Sequence, residues 1–171
     1  MQRYIGIDLG GTNIKGALVS ETGKILKQRS VPTHAEAGAE AVTQTIAAMI
    51  CALAEGESVS GVGMGCPGTV DDREGTVVYA CNLGWVHYDV RTALRELTGY
   101  SVRLVNDANA AALAEAAVGA AKGAQSAVVV TLGTGVGGGV VLSGKLLTGF
   151  TGAASELGHM TIVADGEPCA C

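Results

Sequence analysis

Two stretches of this chain share one plan: an apolar run, a turn rich in Gly and Thr, a second apolar run and a tight Gly-Lys turn. The first is Tyr4-Ile5-Gly6-Ile7-Asp8-Leu9-Gly10-Gly11-Thr12-Asn13-Ile14-Lys15-Gly16-Ala17-Leu18-Val19-Ser20, followed by Gly23-Lys24. The second is Ala127-Val128-Val129-Val130-Thr131-Leu132-Gly133-Thr134-Gly135-Val136-Gly137-Gly138-Gly139-Val140-Val141-Leu142-Ser143, followed by Gly144-Lys145. Leu9 aligns with Leu132, Gly10 with Gly133 and Gly16 with Gly139, an offset of 123 residues. Each copy reads as a hairpin, and two copies imply two lobes that each present backbone N–H groups and hydroxyls at a turn. Successive amides in a glycine-rich turn form an anion nest. A phosphate held between two lobes is the ligand class this plan implies.

Composition removes several alternatives. With 48% hydrophobic and 16% charged residues among 171, the chain suits a buried core and not disorder. A net charge of −5 without a Lys/Arg cluster argues against nucleic acid, and one Trp and one Phe offer little for base stacking. No apolar run approaches the ~20 residues that cross a bilayer. Met1-Gln2-Arg3 leads straight into a strand without signal-peptide architecture. Five scattered cysteines read as thiols of a reducing compartment. The expected location is cytoplasmic, with no membrane partner.

Along the chain, residues 3–9, 13–19 and 24–31 read as three antiparallel strands. Residues 36–55 read as a helix, because Val42, Ile46, Met49, Ile50 and Leu53 repeat on one face. Strands are expected at 59–65, Thr76–Ala80 and Val102–Val105, with a polar loop from Thr69 to Gly75. Asp89 can cap a helix to about Leu97. Asn106-Asp107 opens an alanine-rich helix expected to reach Lys122 before Gly123. The second hairpin covers 126–147, followed by a short helical turn near Ala153–Leu157 and a last strand, Met160–Val163. The fold class is α/β, a mixed sheet with helices, divided into a lobe at 1–121 and the beginning of a second at 122–171. The second stretch is too short to cover both faces of a sheet, so a longer protein is expected.

Asp8-Leu9-Gly10-Gly11-Thr12 places a carboxylate beside free amides and a hydroxyl. In the second copy Thr131 replaces Asp8, so one lobe alone supplies an acid, enough for a Mg²⁺-phosphate in which the ion keeps several waters. A bare hairpin turn is the plainer reading of one copy; the repeat favours phosphate. Gly63, Gly65 and Gly68, and likewise Gly133, Gly135 and Gly138, match G-x-G-x-x-G, but neither run opens a helix onto pyrophosphate. Gly139 to Lys145 resembles a P-loop, yet Leu146 stands where a Mg²⁺-binding Ser or Thr belongs.

Leu104-Val105-Asn106-Asp107-Ala108-Asn109 sends a carboxylate from a buried strand into the first turn of a helix, where the macrodipole favours its charged form. A fixed, ionised Asp is what a general base requires; a cap alone needs only one of the polar residues. On spacing alone Asn82-Leu83-Gly84-Trp85 is a loop, and Glu156-Leu157-Gly158-His159 a solvated acid–imidazole pair. His159, Cys169 and Cys171 make three zinc-type ligands where structural zinc takes four. Cys51, Cys66 and Cys81 read as packing residues.

As an ordered set these motifs resemble the ROK family (repressors, uncharacterised reading frames and sugar kinases) of the actin-like ATPases, and within it the bacterial glucokinases. The set comprises Asp8-x-Gly-Gly-Thr, Cys66-Pro67-Gly68, Asn82-Leu83, Asn106-Asp107-Ala108-Asn109, the Leu132–Gly139 run, Glu156-x-Gly158-His159 and the start of a zinc motif. The resemblance implies an actin-like (ribonuclease H-like) lobe and transfer of phosphate from ATP to the 6-hydroxyl of a hexose, glucose foremost. It implies Asp107 as base, with Gly68, Asn82, Asn106, Glu156 and His159 around the sugar. Asp8, Gly10, Gly11 and Thr12 would hold phosphates and Mg²⁺ on one side, and Gly133, Thr134 and Gly135 on the other. A structural Zn²⁺ would use His159, Cys169 and Cys171, the chain stopping before the motif's last Cys. It further implies a homodimer at full length and an inactive 171-residue piece. N-acetylmannosamine, mannose, allose or fructose as substrate, or a sugar-sensing regulator, are the alternatives.

Overall fold

The computed structural model describes residues 2–133 and 135–168. Three antiparallel strands open it: β1 (Arg3–Leu9), β2 (Asn13–Ser20) and β3 (Ile25–Pro32). Helix α1 (Ala39–Ala54) follows, then β4 (Gly61–Cys66), parallel to β1. Next come three short strands, β5 (Thr69–Asp71), β6 (Thr76–Ala80) and β7 (Trp85–Tyr88), and helix α2 (Val90–Thr98). Strand β8 (Val102–Asn106) joins β4 in parallel and leads directly into α3 (Asp107–Val118). The five-stranded sheet therefore has the order β3-β2-β1-β4-β8, the mixed α/β arrangement expected.

Alternation in β1 puts Ile5, Ile7 and Leu9 on one face, joined by Ile14 and Leu18 of β2, Val62 and Met64 of β4, and Val102 and Leu104 of β8. Over this face lie Val42, Ile46, Met49, Ile50 and Leu53 of α1, all buried as their periodicity predicts, with Val90 and Leu94 of α2. Each such side chain removed from water contributes roughly 1.5–3 kcal/mol. Gly16 makes room for this layer: a Cβ there would come 2.9 Å from the Leu53 Cδ1 and overlap the Met49 sulfur. On the opposite face α3 approaches β4 at Gly65, where an added Cβ would lie 3.4 Å from that of Ala110.

The second hairpin is β9 (Ala127–Leu132) and β10 (Val136–Leu142), extended by β11 (Lys145–Leu146). Its turn is tighter than the first. Leu9 pairs with Ile14, but Leu132 pairs with Val136, so Gly16 stands opposite Ile7 while Gly139 stands opposite Val129. The three glycines Gly137–Gly139 form a packing seam. Cβ atoms at Gly137 and Gly139 would meet Ala108 and Ala112 of α3, and one at Gly138 would meet Ser155 and Leu157 on the other side.

Several expectations need correction. Helix α1 starts at Ala39, after a 3₁₀ turn at Ala35–Ala37 and Gly38 at φ 90°. Helix α3 ends at Val118 and not Lys122: Glu115 turns back so that its carboxylate accepts the Ala120 N–H at 2.7 Å. The loop from Thr69 contains β5, paired with β6. The helical turn forms at Leu157–His159, not at 153–157. Met160–Val163 is no strand: Met160, Ile162 and Val163 are exposed, and no described strand pairs with them. Only Cys66 of the three described cysteines is buried; Cys51 and Cys81 are exposed and do not pack.

Candidate active site

The turn after β1 is built before any ligand arrives. Gly10 N–H donates to the Asn13 carbonyl at 3.0 Å, and an added Cβ on Gly10 would sit 2.9 Å from that oxygen. Buried Thr33 pins the turn from the far end of β3, its hydroxyl donating to Gly10 O at 2.6 Å and its N–H to Thr12 O at 2.9 Å. Among the described residues, the Gly11 and Thr12 amides have no backbone partner, and both residues are exposed. Asp8, exposed at the end of β1, adds a carboxylate on the same side. Hard oxygen beside free amides is the donor set a Mg²⁺-phosphate takes.

In the second turn Gly133 N–H donates to the Gly135 carbonyl at 2.9 Å, so that amide closes its own turn instead of facing outward. Gly133 and Gly135 are both exposed. Thr134 lies outside the described residues. Since Gly137 and Gly139 run alongside Ala108 and Ala112, the turn lies beyond the N-terminal end of α3, the end that carries Asp107.

At that end Asn106 takes the cap. Its Oδ1 accepts the Asn109 N–H at 3.1 Å, and its Nδ2 donates to the Gly68 carbonyl at 3.1 Å. One side chain thus closes the helix and holds Gly68, whose φ of 80° suits glycine. Asp107, relieved of capping, accepts the adjacent Ala108 N–H at 2.8 Å. Its pKa is raised above the ordinary 3.8. Burial is the largest cause, the Ala108 amide works against it, and the charge of Asp8 adds to the rise. Burial and the Asp8 charge thus act against the helix dipole at this carboxylate. By surface area Asp107 is nonetheless an exposed residue, so water moderates the effect of burial on its charge. Cys66, fully buried nearby, has its thiol pushed up to about 12 by burial and by Asp107, which leaves it unreactive.

The remaining candidates gather in two groups. Asn82 sits in a 3₁₀ turn, Cys81–Leu83, closed by Gly84 at φ 65°, and its Cβ would lie 3.3 Å from a Cβ on Gly11. Glu156 and His159 face each other at 3.8 Å, both exposed. Ser155, beside Glu156, donates from its hydroxyl to Asn109 Oδ1 of α3 at 2.9 Å. Thr33, Asn109 and Ser155 escaped the sequence reading as site residues. The only signal was that Asn106-Asp107-x-Asn109 contains more polar groups than a cap uses. A hollow of about 830 Å³ along the sheet's other face is lined by Gly6, Asp8, Lys15, Gly65 and Ala110. Asp107 stands outside it. Among the described residues no three His, Cys, Asp or Glu side chains gather as a metal cluster. Cys169 and Cys171 lie outside the described residues.

The ROK family model matches residues 4–171. The chain belongs to the ROK family. A ROK family glucokinase from Streptomyces griseus, solved with glucose and AMPPNP, is 40% identical with a TM-score of 0.89, covering 96% of this chain and 52% of that one. Among curated proteins, a glucokinase from Thermotoga maritima is 44% identical over 99% of this chain and 54% of its own length. An N-acetylmannosamine kinase from Escherichia fergusonii is 36% identical over 98% of this chain and 57% of its own. The chain spans about half the length of the curated relatives it matches. The fold is that of the ROK sugar kinases, an actin-like α/β fold. Among the described residues no helix is long and apolar enough to cross a membrane.

Proposed function

We propose that the full-length protein containing this chain transfers the γ-phosphoryl group of ATP to the 6-hydroxyl of a hexose, glucose in the first place. The observation that carries this reading is the division of labour at α3: Asn106 caps the helix and holds Gly68, leaving Asp107 without a capping role beside Asp8. A raised pKa brings Asp107 closer to working pH and makes it a stronger base. In this reading Asp107 takes the proton of the attacking hydroxyl, while Gly68, Asn82, Asn106, Glu156 and His159 hold the other hydroxyls. The Gly11 and Thr12 amides would meet the phosphates, and Asp8 would supply a carboxylate to their Mg²⁺. Mg²⁺, when bound, neutralises charge on the transferring phosphoryl group. Positioning and charge stabilisation are most of what this reaction asks of a protein.

Residues 1–121 are read as one lobe and 122–171 as the beginning of the second, with Gly133, Thr134 and Gly135 completing the phosphate side. His159, Cys169 and Cys171 are read as part of a zinc site. The full protein is read as a cytoplasmic homodimer, and the 171-residue chain alone as turning over weakly or not at all. The likeness to an N-acetylmannosamine kinase supports a second reading with a different hexose. A panel of hexoses with ATP, assayed on the full-length protein, decides. Glucose is expected to show the highest kcat/KM; another sugar well above it moves the specificity, and no phosphorylation of any hexose overturns the kinase reading.

A further inference from the structure

Between residues 142 and 168 Ser155 is the only buried residue. The rest of that segment is exposed or half-buried, and it contains Gly149 and Gly152 at positive φ. Ser155 Oγ donates to Asn109 Oδ1 at 2.9 Å, and the two side chains are 2% and 4% exposed. Asn109 belongs to the first turn of α3, and its own N–H is held by Asn106. Glu156 follows Ser155 directly and His159 comes three residues later, in a turn that rests on β10 through Leu157 above Gly138.

We infer that Ser155 and Asn109 are positioning residues for the sugar: their hydrogen bond fixes the Glu156–His159 arm relative to the helix start that carries Asn106 and Asp107. The inference rests on the hexose kinase reading above. The packing of Leu157 over Gly138 sets how closely the arm lies on the strand. An apolar contact is not directional, so it leaves the arm's slide along β10 undefined. A buried hydrogen bond between two short side chains is directional and supplies that missing coordinate. Without it Glu156 and His159 stay on the surface but lose their register against the hydroxyl ligands of the first lobe. Neither Ser155 nor Asn109 needs to touch the sugar.

The test uses Ser155→Ala, Ser155→Thr, Asn109→Leu and the Ser155→Ala/Asn109→Leu double variant of the full-length protein. Ser155→Ala and Asn109→Leu are each expected to raise KM for the hexose roughly tenfold, on the scale of one lost hydrogen bond, with KM for ATP unchanged within about twofold. The double variant is expected to be no worse than either single one, and Ser155→Thr, which keeps the hydroxyl, to recover most of the loss. A wild-type hexose KM in Ser155→Ala, or parallel losses in both KM values, overturns the inference. Hydrogen exchange gives a second readout that does not depend on turnover. In Ser155→Ala the Leu157 and His159 amides are expected to lose protection while α3 keeps its own; unchanged protection overturns the positioning role. Absence of phosphorylation by the wild type counts against the kinase reading instead, and the exchange data still decide the role of Ser155.

Discussion

Asp8 of β1 pairs in register with Gly65 of β4, and Asp107, the first residue of α3, lies against that same glycine, so that beside burial the Asp8 charge adds to the rise in the Asp107 pKa. The pair follows from a strand order that sets β1 beside β4 and β4 beside β8, so that the ends of all three strands open on one edge.

Removing the Asp8 charge is expected to lower the pKa of Asp107, since a like charge disfavours ionisation. Carboxyl NMR titration of Asp8→Asn against wild type measures this directly. An Asp107 titration that stays in place or moves upward contradicts the assignment.

The same shift has a consequence for stability. A folded-state pKa above the unfolded value means that the fold prefers the protonated acid. Stability is therefore lost as pH rises from about the ordinary 3.8 through the raised value, and the cost persists above it. Asp107→Asn, neutral at every pH, is expected to hold or raise the melting temperature at pH 7. Melting several degrees below wild type contradicts this.

Asn106→Ala removes a helix cap and the donor that holds Gly68. Loss of the cap is expected to cost about 1–2 kcal/mol by urea denaturation, and the hexose KM is expected to rise as Gly68 is released. Stability within error of wild type contradicts the capping role.

Gly139→Ala is expected to cost about 1–3 kcal/mol, because the new methyl would overlap the Ala112 side chain and come 2.8 Å from the Ala108 carbonyl. Gly63→Ala, with nothing within 4 Å, is the control and is expected to be near neutral. Equal losses in the two variants contradict the packing seam.

Much of this architecture was legible because burial writes itself into periodicity. Ile5, Ile7 and Leu9 alternate, and Val42 through Leu53 repeat every three or four residues, so β1 and α1 could be read directly. Asn106-Asp107 announced the start of α3, and the paired glycine turns announced two hairpins. What failed depended on partners distant in sequence. Met160–Val163 has strand propensity but no described strand to pair with, whereas β5 is short and polar and exists because β6 pairs with it. The glycines of β10 were read as part of a hairpin, but what their spacing records, how closely α3 and the Ser155–Leu157 turn approach, depends on those distant partners. The pKa of Asp107 was also hidden, since the helix dipole is a local feature while burial and Asp8 come from tertiary structure.

The central claim is that Asp107 deprotonates the acceptor hydroxyl. Asp107→Ala in the full-length protein, with kcat for ATP-dependent hexose phosphorylation measured beside the hexose Kd from calorimetry, tests it most directly. Expected is a fall in kcat of about 10²–10⁴-fold, the range for removal of a general base, with the Kd within a few-fold of wild type. A wild-type kcat, or a sugar affinity that collapses together with turnover, would contradict the assignment.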